Sequence, residues 1–388
     1  MSFKYPLATY TWGQEELDAM QRVIDSGKFT MGDNVAEFES QFSSYLNSKY
    51  SVMVNSGSSA NLLMVAALFY RKECPLKKGD EVIVPAVSWG TSYFPLHQYG
   101  LKLRFVDIDI KTLNYDLDQL KEAITPKTKV IFTVNLLGNP NNFTLINEII
   151  SNHDIIIIED NCESLGATLL GKQAGTFGLM GSFSTFFSHH ISTMEGGLIV
   201  TANEELYHIL LSLRAHGWTR NLPDFNHVCG EKNNDDFEET FRFVLPGYNV
   251  RPLELEGAIG IEQLLKLPNF ISERRKNGAL FQNTMNTHPD LMIQEEIGNS
   301  SWFGFSLVIK PESKIDRRRL IEELSKLGFE TRPIVTGNFS KSDVMKFIDH
   351  EIPFTLQNAE YVDNNGLFIG NHHFSINEAI ESISNLKV

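Results

Sequence analysis

Short, largely apolar runs recur along the first half of the chain: Val52–Val54, Glu81–Val84, Leu103–Val106, Val130–Val134, Ile155–Ile158 and Leu198–Val200. Each is bounded by Pro, Gly or acidic residues, and runs of that length without polar alternation predict strands buried on both faces. Most are separated by stretches long enough for a helix, as at Asn61–Arg71 and Leu117–Ala123. The order therefore reads βαβ with a mainly parallel sheet, whose ligands sit beyond the strands' carboxyl ends. The stretch Asn221–Glu239 has no periodicity and reads as a surface loop. From Leu253 a helical period runs through Gln263, Leu264 and Leu265 toward Arg274, Arg275 and Lys276, after which short strands and helices mix. At 388 residues the chain outgrows a single core. The predicted class is α/β, with an N-terminal arm and large domain at 1–262 and a smaller C-terminal α+β domain at 263–388.

Composition narrows the function. Hydrophobic residues make up 42% and charged residues 21%, as in a packed globular protein. A net charge of -14 without a basic run argues against nucleic acid and anionic lipid as partners. An anionic small ligand then needs individual arginines. The longest apolar run, Leu62–Tyr70, is too short to span a bilayer. Cys74, Cys162 and Cys229 are odd in number and far apart, so neither disulfides nor a metal or iron-sulfur site is expected. The expected location is a reducing cytoplasm.

Two segments carry candidate chemistry. Val54–Asn61 joins a strand to a helix through small residues, which leaves backbone N–H groups free at a helix start; such an end binds phosphate, although a plain cap by Ser58 or Ser59 reads the same residues. Asp154–Glu163 is a buried strand that delivers carboxylates at its C-terminal edge. Asp160 there can hold a protonated pyridine nitrogen or simply cap the next turn.

The decisive stretch is Gly181-Ser182-Phe183-Ser184-Thr185-Phe186-Phe187-Ser188-His189-His190-Ile191-Ser192-Thr193-Met194-Glu195-Gly196-Gly197-Leu198. It resembles the DegT/DnrJ/EryC1 family of sugar aminotransferases, whose motif reads roughly Ser-Phe-x-x-x-Lys-x-Ile-x-x-Gly-Glu-Gly-Gly. Similar stretches include Phe29–Gly32, Val84–Trp89, Asn135–Pro140, Arg214–Arg220 and Arg332–Gly337. Aligned on Glu195-Gly196-Gly197, His189 stands where the family keeps its lysine. No lysine occurs between Lys172 and Lys232, so no slip of the alignment restores an amine. Lysine captures a cofactor aldehyde as a Schiff base, whereas an imidazole can only move protons.

The resemblance implies an aspartate-aminotransferase-like (fold type I) architecture and pyridoxal phosphate, with pyridoxamine phosphate as the resting form. It implies that Gly57, Ser58 and Ser184 hold the phosphate, Trp89 stacks on the ring, Asp160 pairs with the ring nitrogen and Glu163 supports the ring. Asn249, in Gly247-Tyr248-Asn249-Val250-Arg251, is implied to reach the neighbouring cofactor site of a homodimer. His216, Arg220 and Arg332 are the implied anion contacts, with Phe29 and Thr30 near a nucleotide sugar. The implied substrates are a nucleotide-linked keto-sugar and L-glutamate. His189, expected near its ordinary neutral pKa, turns the reaction from transamination toward expulsion of the C3 hydroxyl. A relative with the same histidine works with an iron-sulfur cluster and a reductase; three dispersed cysteines leave no such cluster and no reductase partner. A 4-aminotransferase and a non-catalytic cofactor- or sugar-binding regulator are the competing readings.

Overall fold

In the computed structural model, which describes residues 3–386, the apolar runs assemble into one eight-stranded sheet. Its strands are β1 (Tyr50–Val54), β2 (Glu81–Pro85), β3 (Lys102–Val106), β4 (Thr128–Val134), β5 (Ile156–Asp160), β6 (Met180–Ser184) and β7 (Gly197–Thr201). They lie in the order β1-β7-β6-β5-β4-β2-β3, with the short strand His350–Glu351 at the far edge. Five neighbouring pairs are parallel and the two made by β7 are antiparallel. Both faces are covered: Val82 and Val84 of β2 enter one hydrophobic cluster, and Ile83 between them enters another. The α/β, mainly parallel architecture is as expected.

Strand β6 carries no apolar run to announce it, because its sequence is Met-Gly-Ser-Phe-Ser. It is nevertheless buried throughout between β5 and β7, and its small residues let neighbouring backbone approach closely. The presumed loop at 221–239 also holds structure, namely a hairpin pairing Phe225–Asn226 with Gly230–Glu231 and one helical turn at Asp236–Glu239. Polar turn residues outnumber apolar ones there, so periodicity alone missed it.

Five helices place the chemistry: α1 (Asp33–Tyr45), α2 (Gly57–Tyr70), α3 (Gly90–Gln98), α4 (Glu204–Arg214) and α5 (Glu254–Met285). Helix α2 begins four residues earlier than its apolar run, where Ser56 caps it by accepting from the Ser59 amide. One buried pair ties the elements around it. Glu39 of α1 accepts from the Met53 amide at 2.6 Å and from Arg214 at the end of α4, and Arg214 also donates to the Met53 carbonyl at 2.8 Å. Burial pushes the Glu39 carboxyl up, against the pull of the guanidinium.

A second cluster, from Phe281 and Met285 through Trp302, Phe305 and Leu307 to Ile380 and Ile383, packs on a three-stranded antiparallel sheet of β8 (Leu291–Met292), β9 (Gly304–Ile309) and β10 (Gly366–Gly370). The division expected after residue 262 falls inside α5, which runs unbroken for 32 residues. We propose that α5 is the joint between a large and a small unit. Removing one member of the Glu39–Arg214 pair strands a charge in a dry site. Glu39→Ala is expected to cost about 3–5 kcal/mol, read as a lowered denaturant midpoint.

Candidate active site

The carboxyl ends of β4, β5 and β6 and the N-termini of α2 and α3 surround a cleft of about 330 Å³. One wall is the start of α2. The Asn55 amide is tied to the Val250 carbonyl at 3.0 Å, and Ser59 Oγ donates to Asn55 Oδ1 at 2.7 Å, so the turn is held while the amides of the first helical residues face the cleft without helical partners. Gly57 must be glycine for reasons of space: a Cβ there falls 2.8 Å from Ser184 Cβ and 3.0 Å from Cys162 Sγ. A closely approached backbone with free N–H groups is a phosphate cradle.

Opposite lies Asp160, the last residue of β5 and 6% exposed. Its Oδ2 accepts from Asn61 Nδ2 and from Ser92 Oγ, both at 2.8 Å, and its Oδ1 accepts from the Cys162 amide at 3.1 Å. Glu163 accepts from the Leu137 amide at 3.0 Å. Burial raises the Glu163 carboxyl, with Arg332 opposing the rise. Trp89 precedes α3 and is 58% exposed, its ring bordering the cleft.

His189 sits on the connection between antiparallel β6 and β7. Ser184 pairs with Gly197, so Thr185–Gly196 leaves and returns at one place. The base is pinched by Thr185 N to Gly196 O at 3.0 Å, Thr193 N to Thr185 O at 2.8 Å and the Thr185–Thr193 hydroxyl pair at 2.6 Å. Gly196 has φ +150, and a Cβ there meets Thr185 Oγ1 at 2.3 Å, so the pinch admits no side chain. The tip is pinned by buried His190, whose Nε2 donates to the Ser301 carbonyl at 3.2 Å, and by Trp12 Nε1 to Ser192 O at 2.9 Å. His189 packs on Phe303 with ring centroids 5.2 Å apart.

The imidazole differs from expectation in its basicity. Desolvation first, then the nearby cations Arg332 and Arg274, lower His189 from 6.5 to about 3. At neutral pH it is thus a free base with no proton of its own to give. Arg274 is buried, has no carboxylate partner among the described residues, and donates to the carbonyls of Trp302, Phe303 and Asn371. Sequence reasoning passed over Arg274 and Phe303, since a helix arginine and a loop phenylalanine look ordinary before folding. It also passed over Asn61, although an amide inside the apolar run of α2 was a usable signal.

Eight of the expected residues line this one cleft: Gly57, Ser58, Trp89, Asp160, Glu163, Ser184, His189 and Arg332. Asn249, His216, Arg220, Phe29 and Thr30 do not. Asn249 is exposed, with its Oδ1 accepting from Arg251 Nε at 3.0 Å. Arg220 is exposed and stacked over Trp218 and Phe241 at 4.2 and 4.7 Å. His216 is half-buried at φ +61, Phe29 is 50% exposed, and Thr30 bridges to Leu253.

This fold and cleft are those of the DegT/DnrJ/EryC1/StrS aminotransferase family, to which the chain belongs, matching it over residues 11–385. Within that family the chain is 62% identical over 383 residues to the GDP-4-keto-6-deoxy-D-mannose 3-dehydratase of Yersinia pseudotuberculosis, with 98% of each chain covered. The structure of the E. coli GDP-4-keto-6-deoxy-D-mannose 3-dehydratase with bound hydrated PLP superposes with a TM-score of 0.98 at 60% identity, covering 99% of both chains. A GDP-4-keto-6-deoxymannose 3-dehydratase with a trapped PLP-glutamate geminal diamine superposes with a TM-score of 0.97 at 61% identity, covering 98% of this chain and 99% of that one.

The residues present fit pyridoxal or pyridoxamine phosphate. Gly57 opens the cradle that a Cβ would fill, Asp160 offers an acceptor, and His189 Nδ1 and Arg332 Nε are buried without hydrogen-bond partners among the described residues. Among the described residues no lysine lines the cleft. Gly57→Ala should therefore weaken saturable binding in an absorbance titration with pyridoxal phosphate, because the added Cβ pushes against Ser184 and Cys162 at the cradle. A second prediction concerns acid stability. A histidine of folded pKa about 3 and unfolded pKa 6.5 contributes stability that is complete above 6.5 and lost as pH falls toward 3, because only the unfolded state takes up the proton. His189→Asn should lose less melting temperature than the parent between those pH values.

Proposed function

We propose that this chain removes the C3 hydroxyl of GDP-4-keto-6-deoxymannose as water, giving GDP-4-keto-3,6-dideoxymannose. L-glutamate re-aminates the cofactor, and the sugar's transient nitrogen leaves as ammonia. The carrying observation is the imidazole of His189 in a cleft that offers a phosphate cradle, a ring-nitrogen acceptor and no amine. The names of the full-length relatives, at about 60% identity, support the same substrate and co-substrate.

When bound, the pyridoxamine phosphate supplies an amine for the sugar ketone and a ring that withdraws electrons from it. The chain's own part is positional and protonic. The α2 amides, Ser58 and Ser184 hold the phosphate, Trp89 covers one ring face, and Asp160 keeps the ring nitrogen protonated. His189, a free base at neutral pH, takes a proton at the carbon bearing the cofactor nitrogen and returns it to the departing C3 oxygen. Anionic ligands beside Arg332 raise the imidazole from its depressed value, which brings its basicity closer to that needed for both transfers. With no lysine to recapture the cofactor aldehyde, hydrolysis frees the sugar and leaves the aldehyde to glutamate.

The active unit in this reading is a cytoplasmic homodimer in which Asn249 donates to the partner's cofactor phosphate, and the product leads toward colitose of an O-antigen. In support, the Asn249 oxygen is occupied by Arg251 while its NH2 group stays free, and Phe187, Phe241 and Phe243 are 57%, 66% and 59% exposed. Apolar surface of that kind suits a covering chain. His216, Arg220, Phe29 and Thr30 belong to the same proposed interface, on the nucleotide side.

Incubation of the protein with GDP-4-keto-6-deoxymannose, pyridoxal phosphate and L-glutamate should yield a product lighter by one oxygen atom, with ammonia and 2-oxoglutarate, and no reductase added. An amino sugar as the sole product would assign the chain to transamination instead. His189→Lys should reduce dehydration by about 10²-fold or more, measured by mass spectrometry of the nucleotide sugar.

A further inference from the structure

We propose that Asn61 is a positioning residue for this reaction, acting through Asp160: its amide, with the Ser92 hydroxyl, holds that carboxylate fixed and turned toward the cleft. The inference rests on the proposed pairing of Asp160 with the cofactor ring nitrogen.

Asn61 lies in the first turns of α2, a helix whose residues from Leu63 to Leu68 are all buried and apolar. It is 1% exposed, and a primary amide in such a place costs free energy unless every polar atom is matched. Each atom is matched, and in a defined sense. Ser182 Oγ donates to Asn61 Oδ1 at 2.6 Å, while Nδ2 donates to Asp160 Oδ2 at 2.8 Å and to the Thr91 carbonyl at 3.4 Å. Reversing the amide would set Oδ1 against a carboxylate and a carbonyl, so the network permits one orientation.

Ser92 Oγ completes the grip at 2.8 Å on the same Oδ2, and its own oxygen pairs with Ser88 Oγ at 2.8 Å. Asn61, Ser92 and Ser182 are each 1% exposed or less. Two protein donors therefore engage Oδ2, while Oδ1 accepts from the Cys162 amide and borders the cleft. Donors from α2, α3 and the turn after β5 all converge on Asp160 and fix its plane, which leaves Oδ1 placed to accept from a ring N–H. The alternative is a purely structural amide that cross-links α2, β6 and the start of α3. That role changes stability without changing the ring's protonation.

The isosteric variant Asn61→Asp separates the two roles, since it replaces the donor by a second carboxyl that must share a proton with Asp160. Holoenzymes reconstituted with pyridoxal phosphate would be compared for the parent, Asn61→Asp, Ser92→Ala, Ser92→Thr and Asp160→Asn. The readouts are the pH titration of the bound ring by absorbance, kcat and KM for the keto-sugar, and melting of the cofactor-free protein. Expected are a ring that deprotonates at lower pH and a kcat lower by about 10- to 100-fold with little change in KM for Asn61→Asp. A smaller change of the same sign is expected for Ser92→Ala, with recovery in Ser92→Thr.

The proposal is overturned if Asn61→Asp and Ser92→Ala keep the parent's ring titration and kcat, whatever happens to melting. If Asn61→Asp does not fold, the Ser92→Ala and Ser92→Thr pair decides by the same readouts. Asp160→Asn distinguishes the underlying reading: an unchanged ring titration there removes Asp160 from the ring nitrogen. A collapse in Asp160→Asn alone removes only the role of Asn61.

Discussion

A carboxylate at the dry end of a parallel strand cannot stand alone, and the arrangement around Asp160 is the answer to that constraint. The sheet buries most of β5 and leaves the Asp160 carboxyl little contact with water. Donors must come from protein, and they come from three elements that the topology gathers: Asn61 on α2, Ser92 on α3 and the Cys162 amide. The same gathering brings the free amides of α2 and the close-packed Gly57 within one cleft of Asp160. The proposed phosphate cradle and the proposed ring acceptor are thus two products of one packing arrangement.

The histidine loop follows a second logic, that of a short connection pinned at both ends. Antiparallel pairing of β6 with β7 returns the chain to its starting place, and the threonine pair and Gly196 close the neck. Between them His189 has little freedom, with Phe303 against its ring and Arg332 and Arg274 as the charges that hold it unprotonated. Arg274 also grips the Trp302 and Phe303 carbonyls, so helix α5 positions the wall behind the imidazole. A proton acceptor inside a cationic, desolvated setting is a responsive base, because its strength depends on which anions share the cleft.

The absence of an amine gives this setting its chemical direction. A lysine at 189 would be covalently engaged with the aldehyde and would compete with every other use of it. An imidazole would leave the aldehyde exchangeable, because it can move protons but holds no stable Schiff base.

Much of this was legible before folding. The apolar runs and their spacing determined the α/β sheet, the glycine- and serine-rich turn marked a strand-to-helix junction at the cleft, and the missing lysine was a fact of composition between Lys172 and Lys232. Those signals are local: a buried strand, a helix start and a residue type each need only a few neighbours to be read. What needed the tertiary structure was everything that depends on distance through space. β6 was invisible because its small residues are chosen for neighbours distant in sequence, and the hairpin at 225–231 lies in a stretch without periodicity. The basicity of His189 was misjudged because desolvation and two arginines, at 274 and 332, act on it only after folding. Burial and electrostatics are properties of an assembled volume, and a linear pattern contains the groups but not the separations that set their energies.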